Sequence, residues 1–85
     1  MTYTVDDHEK RFFIHQGPAI NSLEELFSEL QTIEDWQFNH HVNEEKHDFA
    51  TWTRDVFGDH FLAKRMQDAK TIDELQKQIF ISLFR

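Results

Sequence analysis

The chain has 85 residues and a formal net charge of −7, with sixteen carboxylates against nine Lys and Arg, nine Phe and no Cys. This length allows a single domain, and the missing cysteines exclude a disulfide framework and a thiolate metal site. Because nucleic-acid binders neutralise phosphates with clustered Lys and Arg, we expect no direct nucleic-acid binding. No apolar run approaches the roughly 20 residues of a membrane-spanning helix, and the acidic N-terminus is unlike a signal peptide. These features predict a cytoplasmic protein with no membrane contact.

The N-terminal part of the chain predicts an extended arm. Residues 1–10 are polar, and we expect them to be disordered or frayed, ahead of a single helical domain over residues 11–85. Arg11–His15 holds three consecutive apolar residues and is followed by a Gly-Pro pair, which is typical of a short strand and a turn. Ala19–Asn21 is the segment that could pair back on this strand, and so short a hairpin is marginal.

The first helices are predicted from their capping signals. Ser22–Glu25 is a capping box that opens the first helix, with a Leu-rich stripe behind it. Thr32–Asp35 repeats the signal with a shorter acid and predicts a second helix that ends near His40 or His41. Asn43 and Asp48 are alternative N-caps for a third helix.

Later signals complete the predicted bundle. Gly58 ends the third helix in a left-handed conformation, and Asp59 caps a fourth helix. Thr71–Glu74 is a further capping box and opens the last helix. The sequence therefore predicts an all-α fold of four to five short helices with an N-terminal extended arm.

Four motifs in the middle of the chain carry a family resemblance. F-x-x-H-V-N, D-F-A-x-W, V-x-G-D and L-A occur at residues 38–43, 48–52, 56–59 and 62–63. In this pattern the chain resembles a small helical domain family of unknown function from archaea and bacteria. The resemblance implies a helical fold, candidate positions at His41, Asn43, Asp48 and Trp52, and no activity. The chain departs from it at His47, where Asn is expected.

A cluster of histidines and carboxylates raises the question of a metal site. Its members fall within nine residues: His40, His41, Glu44, Glu45, His47 and Asp48. Glu44–His47 is a single Glu-x-x-His motif, whereas carboxylate-bridged di-iron bundles use two such motifs and two further Glu. We therefore expect no metal and no cofactor, with His47, Glu44 and His41 as the next-best metal ligands.

His41 and Asp48 form a second candidate site. The intervening residues can turn the chain back, so that Asp48 accepts a hydrogen bond from the His41 ring. A carboxylate-oriented imidazole is the framework of a general base, but no nucleophile accompanies it, and a buried polar tie is the favoured interpretation. Trp52 and the neighbouring Phe residues either line a ligand pocket or, as is usual at helical spacing, fill the core. We therefore expect a protein that is not an enzyme.

The last helix is apolar over most of its circumference. Its core stripe comprises Ile72, Leu75, Ile79 and Leu83. At about 100° per residue, Phe84 lies further round and Ile81 lies nearly opposite the stripe. Either the N-terminal arm covers this surface, or the arm and the last turn form a face that binds a protein partner or a second copy in a homodimer.

These observations favour a non-catalytic protein-interaction or regulatory module, with Ile81 and Phe84 as candidate contact residues. One alternative is a small-ligand or metal-binding domain around His41, Asp48 and Trp52. Another is an acidic mimic of nucleic acid, because the chain is rich in carboxylates.

Overall fold

The computed structural model describes residues 3–84, and most of them are helical. The elements, in chain order, are β1 (Phe12–Phe13), β2 (Ala19–Ile20), α1 (Leu23–Glu29), α2 (Asp35–His41), α3 (Asp48–Trp52), a π-helix (Thr53–Phe57), α4 (His60–Gln67) and α5 (Ile72–Phe84). A 3₁₀ turn at His8–Lys10 precedes β1. Five α-helices agree with the predicted helix content.

A small antiparallel sheet corrects the all-α prediction. Phe12 lies opposite Ile20 and Phe13 opposite Ala19. The turn between the strands places Gln16 at φ 51, and the Ile14 N–H donates to the Pro18 carbonyl at 3.1 Å. So short a hairpin is marginal alone, but here Phe12, Ile14 and Ile20 are buried, so contact with the helices stabilises it.

The chain before β1 runs alongside the start of α1. Thr4 forms an isolated antiparallel bridge with Ser22. The Val5 N–H donates to the Asn21 carbonyl at 2.7 Å, and the Leu23 N–H donates to the Tyr3 carbonyl at 3.0 Å. The segment expected to be frayed thus carries backbone hydrogen bonds from Tyr3 onward, and residues 1–2 lie outside the described part of the chain.

Four of the predicted helix boundaries are confirmed. Ser22 Oγ accepts the Glu25 N–H at 3.1 Å, Asp59 Oδ1 accepts the Leu62 N–H at 2.9 Å, and Thr71 Oγ1 accepts the Glu74 N–H at 3.1 Å. Gly58 has a φ of 68 and ends the π-helix in the left-handed region.

Two predicted N-caps are wrong. The helix α2 begins after Glu34, whose N–H donates to Gln37 Oε1 at 3.1 Å. Thr32 instead closes the turn after α1, where its N–H donates to the Glu29 carbonyl at 3.1 Å. The N-cap of α3 is His47, and Asp48 is the first helical residue. Asn43 caps a turn in the preceding loop, because its side chain accepts the N–H groups of residues 45 and 46.

The core lies where α1, α3, α4 and α5 meet. Its fully buried members from these helices include Leu23, Leu26, Phe49, Leu62, Met66, Leu75 and Ile79, and Phe38 of α2 and Ile20 of β2 join the same cluster. Phe12 of β1 stacks on Phe49 with ring centroids 4.6 Å apart, which attaches the hairpin to α3. Among the described residues, none of the helices combines the length and the apolar character needed to cross a membrane.

Candidate functional site

His41 is the last residue of α2, and both of its ring nitrogens have partners. Its Nδ1 lies 3.0 Å from Asp48 Oδ2, and its Nε2 lies 2.9 Å from the backbone nitrogen of His15. A backbone amide can only donate, so Nε2 must be the unprotonated nitrogen, and Nδ1 carries the proton that it donates to Asp48. His41 is 6% exposed, so this pair of bonds fixes a buried imidazole between the hairpin turn and α3.

Asp48 is held in its ionised form. Burial opposes ionisation, but the hydrogen bonds from His41 and Lys46 outweigh it and lower the pKa of Asp48. Lys46 Nζ lies 3.2 Å from the same carboxylate oxygen that His41 contacts. The structure therefore brings His41 and Asp48 together as the sequence predicts.

The His41–Asp48 pair resembles the orienting half of a general base, but its other half is occupied. A general base needs a free Nε2 that can accept a proton from substrate. In this chain Nε2 accepts the His15 amide, so taking up a proton there would break a hydrogen bond that holds the hairpin turn. The geometry of His41 and Asp48 therefore fits a buried hydrogen-bonded link between segments rather than a catalytic pair.

His47 is a second buried imidazole, at the start of α3. Its Nδ1 accepts the Ala50 N–H at 3.2 Å, and its Nε2 lies 2.9 Å from the Ala69 carbonyl, to which it donates. Burial lowers the pKa of His47. With both nitrogens in use, His47 offers no lone pair to a metal, and Glu44 is exposed. Across residues 3–84, no group of three or more His, Asp or Glu side chains is placed to hold a metal ion.

Trp52 is a core residue with one polar contact. It is 7% exposed, and its indole N–H donates to the Lys10 carbonyl at 2.7 Å. Its ring contacts Phe12 and Phe57, with centroids 5.6 and 5.0 Å away. Phe12 also contacts His41, at 4.9 Å, and links the two predicted site residues. Trp52 therefore packs in the core and secures the arm.

A pair of stacked histidines was not predicted from the sequence. The rings of His15 and His40 lie parallel, with centroids 3.8 Å apart and an interplanar angle of 7°. Partial desolvation lowers the pKa of His40, as do the neighbouring His15, His41 and Lys46. No spacing in the sequence indicates this pair, because the hairpin and α2 are brought together only by the fold.

The C-terminal half of α5 carries exposed apolar side chains that lie beside the partly buried Phe27 of α1. We call Phe27, Phe80, Ile81 and Phe84 together the α5 patch. Phe80, Ile81 and Phe84 are 48%, 38% and 65% exposed. The Phe80 ring lies 6.0 Å from Phe27 and 4.7 Å from Phe84. Within the described chain, then, the arm does not bury these side chains.

The N-terminal arm packs against α2 and α3 instead of the α5 patch. Phe12 contacts His41, Phe49 and Trp52, and Phe13 is 60% exposed. Whether Phe13 and the last turn of α5 act as one face stays a prediction.

Comparison of the chain with protein-family models, with curated proteins and with solved structures gives no match. The resemblance to a helical family of unknown function therefore stays a prediction.

Proposed function

We propose that this protein is a non-catalytic interaction module that docks on a protein partner, or on a second copy of itself, through the α5 patch. The observation that carries this proposal is the exposure of Phe80, Ile81 and Phe84 on adjacent turns of one helix. Single exposed apolar residues are ordinary, but a contiguous cluster of large ones marks interaction surfaces.

The charges around the patch support the same proposal. Between Leu75 and Phe84 the chain has no carboxylate and a single Lys, although the whole chain has sixteen carboxylates. Burying this segment against a partner would desolvate few charged groups, and the centres of protein interfaces are likewise depleted of charge. A two-fold pairing of α5 with its counterpart is the simplest homodimer that this surface allows.

The buried polar groups support a role without catalysis. His41 and His47 each commit both ring nitrogens to fixed partners inside the protein. Neither ring has a nitrogen left for proton transfer with a substrate.

A site-specific cross-linking experiment tests the docking face. A photoreactive phenylalanine analogue is placed at Ile81 and, as a matched exposed control, at Glu45, and the protein is irradiated in the host cell. We expect a discrete adduct, with another protein or with a second copy, from position 81 and not from position 45. Equal or absent adducts at the two positions would contradict the proposal.

Sedimentation equilibrium separates the two classes of partner. If the partner is a second copy, the wild-type protein should form a dimer that Ile81→Ser combined with Phe84→Ser converts to a monomer. Circular dichroism should show an unchanged helical spectrum, because both side chains are exposed. A wild-type protein that stays monomeric at high concentration rules out the homodimer and leaves the cross-linked protein as the partner.

A further inference from the structure

A groove of about 310 Å³ runs between α3 with the following π-helix on one side and α4 on the other. It is lined by Ala50, Thr51, Arg54, His60, Ala63, Lys64 and Gln67. Ala50 and Ala63 are buried, at 4% and 6% exposed, and both have only a methyl side chain. Small residues at facing positions let two helices approach closely and leave open space above them, so the groove follows from the sequence of these two helices.

The charge of the groove is opposite to that of the chain. Arg54, His60 and Lys64 line it, and none of its lining residues is a carboxylate. Residues 1–53 hold eleven carboxylates against three Lys and Arg, whereas residues 54–70 hold three carboxylates against four. In a chain of net charge −7, this is a local gathering of basic side chains, and local charges dominate over distant ones at physiological ionic strength.

The basic side chains are available to a ligand. Arg54 Nε lies 3.0 Å from Asp55 Oδ1, which leaves the two terminal amino groups of its guanidinium as donors. His60 and Lys64 are exposed, and neither side chain forms a hydrogen bond or ion pair with any residue in the described part of the chain. All three groups therefore retain donors for an anion.

The backbone beside the groove is unusual. Arg54 belongs to the π-helix at Thr53–Phe57. π-Helical turns are rare and occur frequently at functional sites. Thr53 is fully buried and its hydroxyl donates to the Phe49 carbonyl at 2.9 Å, which anchors this segment to α3.

We propose that the groove binds a small phosphorylated ligand, with its phosphate group held between Arg54, His60 and Lys64. An Arg fork gives paired hydrogen bonds to two oxygens, and Lys and His add donors from the opposite wall. A dianionic tetrahedral phosphate uses donors from both walls, whereas a carboxylate is satisfied by the Arg fork alone. The volume of about 310 Å³ matches the smallest ligand pockets. This site does not depend on the α5 patch.

Nuclear magnetic resonance titration with inorganic pyrophosphate, at constant ionic strength, tests the proposal. We expect saturable amide shifts confined to residues 50–67. Arg54→Gln combined with Lys64→Gln should weaken binding by at least about tenfold, because the anion loses charge-assisted hydrogen bonds from both walls of the groove.

The matched control is Lys10→Gln combined with Lys77→Gln, which removes the same two charges at exposed positions outside the groove and should leave the affinity within about twofold. A second variant, Thr51→Phe, fills the groove without changing charge and should also abolish the shifts. Dispersed amide spectra confirm that each variant is folded. Shifts spread over the whole surface, equal weakening in both charge variants, or equal binding of succinate would overturn the proposal.

Discussion

His41 and His47 each bind fixed partners through both ring nitrogens, so neither ring can gain a proton without losing a hydrogen bond. Nε2 of His41 accepts the His15 amide and Nδ1 faces Asp48. Nδ1 of His47 accepts the Ala50 amide and Nε2 faces the Ala69 carbonyl. These two imidazoles therefore serve as hydrogen-bonded cross-links between segments that are distant in the chain.

A double-mutant cycle measures the cross-link at His41. We expect His41→Ala to lower the free energy of unfolding by about 1–3 kcal/mol, because the His15 amide and Asp48 both lose a partner. Asp48→Ala should cost about 0.5–1.5 kcal/mol, the net value of a hydrogen bond. The double variant should cost less than the two losses added together. Urea unfolding gives all four values.

Lys46→Gln is the control for this cycle. Lys46 also contacts Asp48, but its side chain is 46% exposed, and exposed ion pairs contribute about 0–1 kcal/mol. Its loss should be the smallest of the single variants. Strictly additive losses for His41 and Asp48 would show that the contact between them contributes nothing to stability.

The pH dependence of stability should report on His47. Burial lowers its pKa in the folded protein, so the unfolded chain, with a pKa of about 6.5, takes up the proton first as the pH falls. The free energy of unfolding should therefore be highest above about pH 6.5 and decline below it, before the carboxylates titrate near about pH 4. The lowered pKa of His40 acts in the same direction.

His47→Asn separates the contribution of His47 to this pH dependence from that of His40. Asn can cap α3 but does not titrate, so this variant should lose part of the decline below about pH 6.5 in urea unfolding curves. His8→Gln, at an exposed position, is the matched control, because it removes an imidazole without removing a buried hydrogen bond. An identical pH profile for wild type and His47→Asn would assign the decline to other groups.

At the scale of the elements, the predictable boundaries are those that depend on local contacts. Ser22, Asp59 and Thr71 each accept the amide three residues later, and Gly58 supplies a left-handed turn. Such signals lie within one turn of helix, so the sequence shows them directly. The His41–Asp48 contact was also predictable, because the chain between the two residues is short enough to reverse.

The boundaries that were missed depend on tertiary structure. His47 is not among the usual capping residues, and its Nδ1 accepts the Ala50 amide in a buried setting that lowers its pKa and so favours the unprotonated acceptor nitrogen. Thr32 stands at a position that is typical of an N-cap, but its N–H donates to the Glu29 carbonyl in the turn after α1. The bond from His15 to His41 joins residues 26 apart in the chain, and no local pattern encodes a contact of that range.

At the scale of the whole molecule, a contact between Tyr3 and Asp59 joins the N-terminal arm to the start of α4. The Tyr3 hydroxyl donates to Asp59 Oδ2 at 2.6 Å, across 56 residues of sequence. The Tyr3 ring also packs edge-on against Phe57, with centroids 5.7 Å apart. Asp59 is at the same time the N-cap of α4, so the arm is fixed to the residue that starts this helix.

The pKa of Asp59 depends on this contact between the arm and α4. Burial disfavours the ionised carboxyl, but the hydrogen bonds from Tyr3 and from the Leu62 amide outweigh it and lower the pKa of Asp59. Ionised Asp59 therefore stabilises the fold above the unfolded-state value of about 3.9, and this contribution is lost as the pH falls through the lower folded-state pKa.

Tyr3→Phe tests whether the arm is closed in solution, because it removes the hydroxyl and keeps the ring that packs on Phe57. We expect the pKa of Asp59 to rise, measured by nuclear magnetic resonance titration of its carboxyl carbon. The free energy of unfolding at neutral pH should fall by about 0.5–1.5 kcal/mol, the net value of one hydrogen bond. The pKa of Asp48, which has no contact with the arm's Tyr3, should not change and serves as the internal control. If the pKa of Asp59 is the same in the wild type and in Tyr3→Phe, the hydrogen bond between Tyr3 and Asp59 does not form in solution, and the arm is not bound to α4.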